Sequence, residues 1–272
     1  MKRFLGHALV SLLLLGGAGA VVAACAHDNS SVFVADVLAP QYVTSGNICV
    51  FTGQTTQATL SKGVLDVALL QEYNPVYLVG NQLVPQVNSQ QLQTETSTVQ
   101  ITSAAVRITD SSGNNLNSFT VMASATIFPS SGGVPTFEPI QVLTIDEGTI
   151  AANDDIQNKV VNQPFMHSGI VRLITYVKFY GQTLGGDNVE TGEFPFPVDV
   201  CQGCLIQFSS TDVQAGCPAP NCNNAGASST TVSSPCTIGQ DVPVDCSLCL
   251  GRSPDCSGVP QPAGVCSVGD AG

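Results

Sequence analysis

The clearest pattern in the chain is the run Val171-Arg-Leu-Ile-Thr-Tyr-Val-Lys-Phe-Tyr180. Val171, Leu173, Val177 and Phe179 share one parity; Arg172, Tyr176, Lys178 and Tyr180 share the other. Period two, with basic and phenolic groups on the alternate positions, predicts a half-buried strand of an antiparallel sheet. GQTLGGDN (181–188) then turns the chain, and residues 189–201 predict the next strand. There Phe194, Phe196, Val198 and Val200 alternate with Glu193, Pro195, Pro197 and Asp199. Prolines at i and i+2 remove donors from one side of a strand, so 193–201 is expected to be an edge, open to a docking partner.

The same period recurs upstream. Val121, Ala123, Ala125 and Ile127 alternate with Thr120, Ser124 and Thr126. Val99 and Ile101 sit on odd positions, whereas Ala104, Val106 and Ile108 sit on even ones, so a bulge is expected at Thr102-Ser103. Residues 109–118 (TDSSGNNLNS) predict a long hairpin loop. Further strands are expected near 32–38, 48–52, 64–70, 76–84 and 140–145. One short helix is expected: Asn153 can cap it, Asp154 and Asp155 suit its N-terminus, and Ile156 and Val160 stand i,i+4. The carboxylates Asp146-Glu147 and Asp154-Asp155 are explained by capping. Many short strands, turn signals between them and no Trp predict an all-β fold: an immunoglobulin-like antiparallel β-sandwich over 32–200 with one short helix.

Composition changes at Cys201. Residues 201–272 hold nine cysteines, seven prolines, one aromatic residue (Phe208), one Arg and no Lys. So little apolar surface cannot form a core of its own, and the segment reads as an irregular tail held by cross-links. Its cysteines are Cys201, Cys204, Cys217, Cys222, Cys236, Cys246, Cys249, Cys256 and Cys266. The two C-x-x-C pairs invite a zinc or thiol-exchange reading. Their wide separation, and the absence of an amphipathic helix opened by either pair, favour a disulfide framework over both, so no metal and no cofactor is expected. Nine is odd, and Cys49 is the one partner left outside the tail; it is expected to bond to Cys201 or Cys204.

The N-terminus sets the compartment. Lys2 and Arg3 precede the apolar residues Leu5, Leu9, Val10 and Leu12–Leu15, and small residues follow, which is the layout of a secretory signal. Val22-Ala23-Ala24-Cys25 then resembles the lipobox of bacterial lipoproteins. That resemblance implies a signal peptide over 1–24, cleavage before Cys25 and acylation of the Cys25 thiol. Residues 25–31 become a lipidated tether. Each buried methylene contributes roughly 0.8 kcal/mol, so two or three acyl chains anchor durably. Ala26, where the sorting signal for inner-membrane retention would place Asp, implies the outer membrane. Removing Cys25 from the eleven cysteines leaves an even number for pairing.

Once Lys2 and Arg3 leave with the signal, six basic residues face twenty acidic ones. No Lys/Arg cluster exists, which excludes a nucleic-acid partner, and an anionic membrane surface repels such a chain. Histidines outside the signal are His27 and His167. His167 neighbours Ser168, but no G-x-S-x-G elbow, H-E-x-x-H or phosphate-cradling loop is present. Asp187, Glu190 and Glu193 hint at calcium without the spacing of an EF-hand; a solvated hairpin tip explains them more simply. No catalytic residue is assigned.

YNPVYLVGNQLVPQ (73–86), FYGQTLGGDNVETGEFPFPVDVCQGCL (179–205) and PCTIGQDVPVDC (235–246) resemble segments of uncharacterised myxobacterial-type lipoproteins with a sandwich-like region and a cysteine-rich tail. The expected function is that of a non-enzymatic, outer-membrane-anchored structural or binding lipoprotein, displaying its sandwich to a protein or glycan partner. The alternatives are a secreted carboxylate-dependent hydrolase and a metal-binding or thiol-active tail.

Overall fold

The structure is a computed structural model, and it describes residues 31–43, 48–86, 95–163, 169–207 and 236–245. Cys25, His27, His167, Cys217, Cys222, Cys246, Cys249, Cys256 and Cys266 lie outside them. In chain order the strands are β1 (Val32–Leu38), β2 (Gln41–Val43), β3 (Ile48–Val50), β4 (Gly63–Asp66), β5 (Val76–Asn81), β6 (Val99–Asp110) and β7 (Asn115–Ile127). They continue with β8 (Thr136–Gln141), β9 (Val171–Thr183), β10 (Asn188–Glu190), β11 (Phe194–Cys201), β12 (Ile206–Gln207) and β13 (Val244–Asp245).

Two curled sheets form the body, which is mostly β. The smaller has the order β1-β5-β8; the larger has the order β4-β11-β9-β6-β7, with β10 folded back onto β9. All pairs in them are antiparallel except β4–β11, which is parallel. One apolar core joins the sheets: Val37 and Tyr77 from the smaller, Leu65, Val106, Leu173 and Phe179 from the larger. Fully burying each such side chain contributes about 1.5–3 kcal/mol.

The alternation in β9 becomes a face. Leu173, Thr175, Val177 and Phe179 are fully buried, and the Thr175 hydroxyl is tolerated because it donates to the Phe196 carbonyl at 3.1 Å. The parity slip in β6 is a bulge between Ile101 and Ser103, present against both β7 and β9. It returns Ala104, Val106 and Ile108 to the inward side that Val99 and Ile101 occupy. The expected long loop at 109–118 is shorter, because β6 and β7 run into it. Asp110 closes the turn, accepting from the N–H groups of Ser112 (2.8 Å) and Asn114 (2.9 Å), and Gly113 supplies a φ of 88°.

Where one helix was expected there are two short ones. Helix α1 (Glu147–Ala152) is capped by Asp146, which accepts from the Thr149 N–H. Helix α2 (Asp154–Ile156) is capped by Asn153, which accepts from the Ile156 N–H at 3.0 Å, and it continues as a π-helical turn through Val161. Asn153 ends the first and starts the second, so a single capping signal conceals two elements.

The edge-strand expectation for 193–201 is corrected. β11 lies between β9 and β4, and β4 pairs with Val198–Cys201. Among the described residues, no strand pairs with the outer side of Phe194–Pro197, where both prolines stand. A strand near 64–70 was expected, and β4 is there; its parallel pairing with β11, which joins distant parts of the chain, was not legible in the sequence.

Tyr77 sits at the centre of the core, edge-on to Phe179 and Phe194 at ring distances of 5.7 and 6.1 Å. Among the described residues its buried hydroxyl makes no hydrogen bond of ordinary geometry; burial pushes its pKa well up, and the nearby Thr175 hydroxyl offsets only part of that rise. Leaving a buried hydroxyl unpaired costs about 1–3 kcal/mol, so Tyr77→Phe is expected to hold or raise stability by about 1 kcal/mol. Urea unfolding checks this; a loss above 1 kcal/mol would mean that the hydroxyl has a partner in solution.

Candidate binding face on the larger sheet

Residues directly opposite one another in a sheet share a face. On the solvent side of β9, Arg172, Ile174, Tyr176, Lys178, Tyr180 and Gln182 therefore line up with Arg107, Ala105 and Ser103 of β6. Ser118, Thr120 and Met122 of β7 extend the face to one side; Pro195, Pro197 and Asp199 of β11 extend it to the other. Met122 is 93 % exposed, unusual for a methionine at the middle of a strand. Two shallow grooves run across this face, of about 620 Å³ beside Tyr180 and Glu190 and about 310 Å³ beside Arg107 and Tyr176.

The chain is acidic, yet four of the five described basic side chains gather here, each in an ion pair. Arg107 donates to Glu193 at 2.8 Å and lies over the Tyr176 ring at 3.9 Å. Lys178 meets Glu190 at 2.6 Å and lies 5.5 Å from the centre of the Tyr180 ring. Hydrogen bonds to Glu193 and Glu190 hold Arg107 and Lys178 more firmly protonated than usual. The result is two layered stacks, carboxylate, cation and phenol, side by side on one face, both phenols supplied by β9. Such stacks present flat rings with fixed charges at their rims.

Asp199 anchors the end of the face. Its side chain is 6 % exposed and receives Arg172 Nε at 2.7 Å, Arg172 Nη2 at 3.0 Å and Lys62 Nζ at 2.7 Å. The bonds from Arg172, joined by those from Lys62, hold its carboxyl below the usual range against the opposing effect of burial. Both cations are about half exposed, so solvent screens the interaction, and Asp199→Asn is expected to cost about 1–2 kcal/mol at neutral pH. Because the folded pKa is lowered, that contribution is complete above about pH 4 and fades as pH falls through the folded value. Denaturation of both forms at pH 7 and pH 3 checks it: the gap should narrow in acid.

The three carboxylates considered for calcium do not converge. Glu190 and Glu193 belong to the two stacks, and the Asp187 N–H donates to Thr183 in the hairpin turn. Among the described residues one grouping has metal-ligand proximity, Asp66 with Cys201 and Cys204. There the two cysteines form a disulfide with each other.

That pairing corrects a second expectation. Cys49 bonds neither Cys201 nor Cys204; it bonds Cys236. Residues 236–245 fold back over the end of the body. Gln240 pairs with Leu65, the Asp66 N–H donates to the Gly239 carbonyl at 2.9 Å, and β13 adds to β12 in parallel. Asp241, at φ 60°, turns its carboxylate inward, where it accepts from the Val64 N–H (2.9 Å) and the Tyr73 hydroxyl (2.9 and 3.0 Å). Gln240 donates to it as well, at 3.2 Å, and accepts from the Asn74 N–H at 3.0 Å. Burial pushes the Asp241 carboxyl up although every donor bond pulls it down, and burial together with the adjacent carboxylate raises the Tyr73 phenol. Gly63 lies directly beneath the Tyr73 hydroxyl, where a β-carbon has no room. Asp66, Asp199 and Asp241 are thus each held by internal donors, which accounts for them structurally.

The outward parity of Arg172, Tyr176, Lys178 and Tyr180 was legible from sequence. The contributions of Arg107, Ser118 and Met122 were not, because they depend on the register across three strands.

No family model matches the chain, and no curated protein matches it. Among solved structures it is similar to the Northeast Structural Genomics Consortium target SoR45, at 12% identity over 69% of this chain and 98% of that one, with a TM-score of 0.28. A solution structure of a protein assigned provisionally to the late embryogenesis abundant (LEA) group is similar at 11% identity over 61% of this chain and 70% of that one, with a TM-score of 0.26. Likenesses of this size carry no argument about function.

Proposed function

We propose that the protein is a non-enzymatic lipoprotein, anchored in the outer membrane through acyl chains on Cys25, that displays the solvent face of its larger sheet to a protein or glycan partner. The observation that carries the reading is the gathering of Tyr176, Tyr180, Arg107, Arg172 and Lys178 on one face of an otherwise acidic chain. Flat rings with fixed charges at their edges suit sugar hydroxyls and protein side chains alike, and they make no demand for a metal or a cofactor. Val22-Ala23-Ala24-Cys25 supports the anchor. No helix among the described residues is long and apolar enough to cross a membrane, and a lipid anchor needs none. The immunoglobulin-like form of the sandwich belongs to this reading, supported by two sheets packed on one core.

Two experiments test the two halves. Cys25→Ser is expected to move the protein from the membrane pellet to the soluble fraction; retention in the pellet sinks the anchor. A photo-crosslinking residue at Tyr180 or Met122 is expected to give a discrete adduct on intact cells, whereas the same residue at Glu147, on α1, gives none. Cross-linking that is the same at all three positions, or absent at all three, removes the binding face.

A further inference from the structure

Of the four cysteines that the structure describes, Cys204 alone is exposed. Its partner Cys201 is buried, and Cys49 and Cys236 are half-buried. The Cys201–Cys204 bridge spans only three residues of sequence, and closing so short a loop removes little chain entropy. Another group fixes this corner. The fully buried Asp66 carboxylate accepts from the Gly203 N–H at 2.7 Å and the Leu205 N–H at 2.9 Å, and from the Ala68 N–H at 3.1 Å on its own strand's side. Gly203 takes a φ of 72°, and the loop is tied onward by the Val244 N–H, which donates to the Leu205 carbonyl at 2.8 Å. The two sulfurs and an Asp66 oxygen lie within 4.8 Å of one another. Opening the bridge therefore leaves the backbone of the loop braced and the sulfurs facing each other.

We propose that Cys201–Cys204 is an exchange-active disulfide that accepts two electrons from a dithiol, with Cys204 as the sulfur attacked. A thiolate of the dithiol attacks Cys204 Sγ. A mixed disulfide forms as the Cys201–Cys204 bond breaks, and the electron pair stays on Cys201 Sγ. That sulfur takes a proton from solvent. The Leu65 carbonyl, 3.6 Å away, then accepts from the new thiol. The second thiolate of the dithiol attacks its own sulfur in the mixed disulfide and releases Cys204 as a thiolate. The dithiol departs as a disulfide, and the protein holds two reduced cysteines in a loop that Asp66 keeps ready to close again. Nothing in the display function requires this chemistry, and it stands or falls independently of the lipid.

The full chain, extracted in detergent, is treated with graded dithiothreitol, alkylated and peptide-mapped. Cys201 and Cys204 are expected to become labelled together at reductant concentrations at which Cys49–Cys236 stays closed. In parallel, the free thiol of Cys201→Ser is expected to react with 5,5′-dithiobis(2-nitrobenzoate) at least tenfold faster than that of Cys204→Ser. Simultaneous or earlier opening of Cys49–Cys236, or equal rates for the two single variants, overturns the proposal and leaves the bridge a plain staple.

Discussion

Replacing Cys49 and Cys236 together by serine is expected to lower stability by about 2–5 kcal/mol, toward the upper end of that range because the loop is long. The bridge joins positions separated by 187 residues, so it removes much of the conformational freedom of the unfolded chain. It also holds β3, whose strand partner among the described residues is the three-residue β2, to the returning segment 236–245. At about 2–4 °C per kcal/mol, the melting temperature should fall by about 4–20 °C, toward the upper part of that range. By the same relation the short Cys201–Cys204 loop gives about 2 kcal/mol or less, so the corresponding double variant should shift much less. Thermal unfolding of the two double variants side by side makes the comparison. Equal shifts, or a Cys49/Cys236 variant that melts with the wild type, would mean that the returning segment is held by its polar contacts alone.

Those polar contacts give the second large effect. Asp241→Ala removes the acceptor of the Val64 N–H and of the Tyr73 hydroxyl, both inside the packed end of the body. Each orphaned donor costs about 1–3 kcal/mol, and alanine at a φ near 60° adds backbone strain, so a loss of at least about 2 kcal/mol is expected. Asp241→Asn keeps an acceptor oxygen and tolerates that φ, and should lose much less. The pair also has a pH signature. Burial raises the folded pKa of Asp241, so the folded state binds the proton more tightly than the unfolded chain does. The stabilisation from this group is complete below the unfolded value of about 3.9 and is lost as pH rises through the folded one. Asparagine does not titrate. The stability of Asp241→Asn minus that of the wild type should therefore shift in favour of the variant between pH 3 and pH 7. Urea midpoints across that range check the sign, and a shift the other way would place a cation beside Asp241.

Parity along the chain carried far. It set the inward face of β9 and marked the β6 bulge at the residues where the register shifts. These are local properties: a strand buried on one side must alternate, and an inserted residue must break the alternation. What parity does not carry is which strand lies alongside which. Gly63–Asp66 is too short and too mixed to announce that it flanks Val198–Cys201, so β11 looked like an edge. The partner of Cys49 could be counted but not located, because connectivity is a matter of three-dimensional approach. The returning segment was hidden for a further reason. Gly239-Gln240-Asp241 reads as a polar turn inside a core-poor tail, and nothing local says that Gln240 and Asp241 point inward onto Asn74 and Tyr73. The binding face was half visible: outward residues of β9 are adjacent in sequence, whereas Arg107 and Glu193 meet only once the β6–β9 and β9–β11 registers are set.

The central claim is that this disulfide-braced β body is carried on a lipid at Cys25. The most direct test is the intact mass of protein extracted from membranes, repeated after alkylation without reductant. The account predicts a chain that begins at Cys25, heavier by two or three acyl groups, with no alkylator taken up. A chain that begins elsewhere or carries no lipid would contradict the anchored reading of Val22-Ala23-Ala24-Cys25, and alkylation at Cys49 or Cys236 would contradict the clasp.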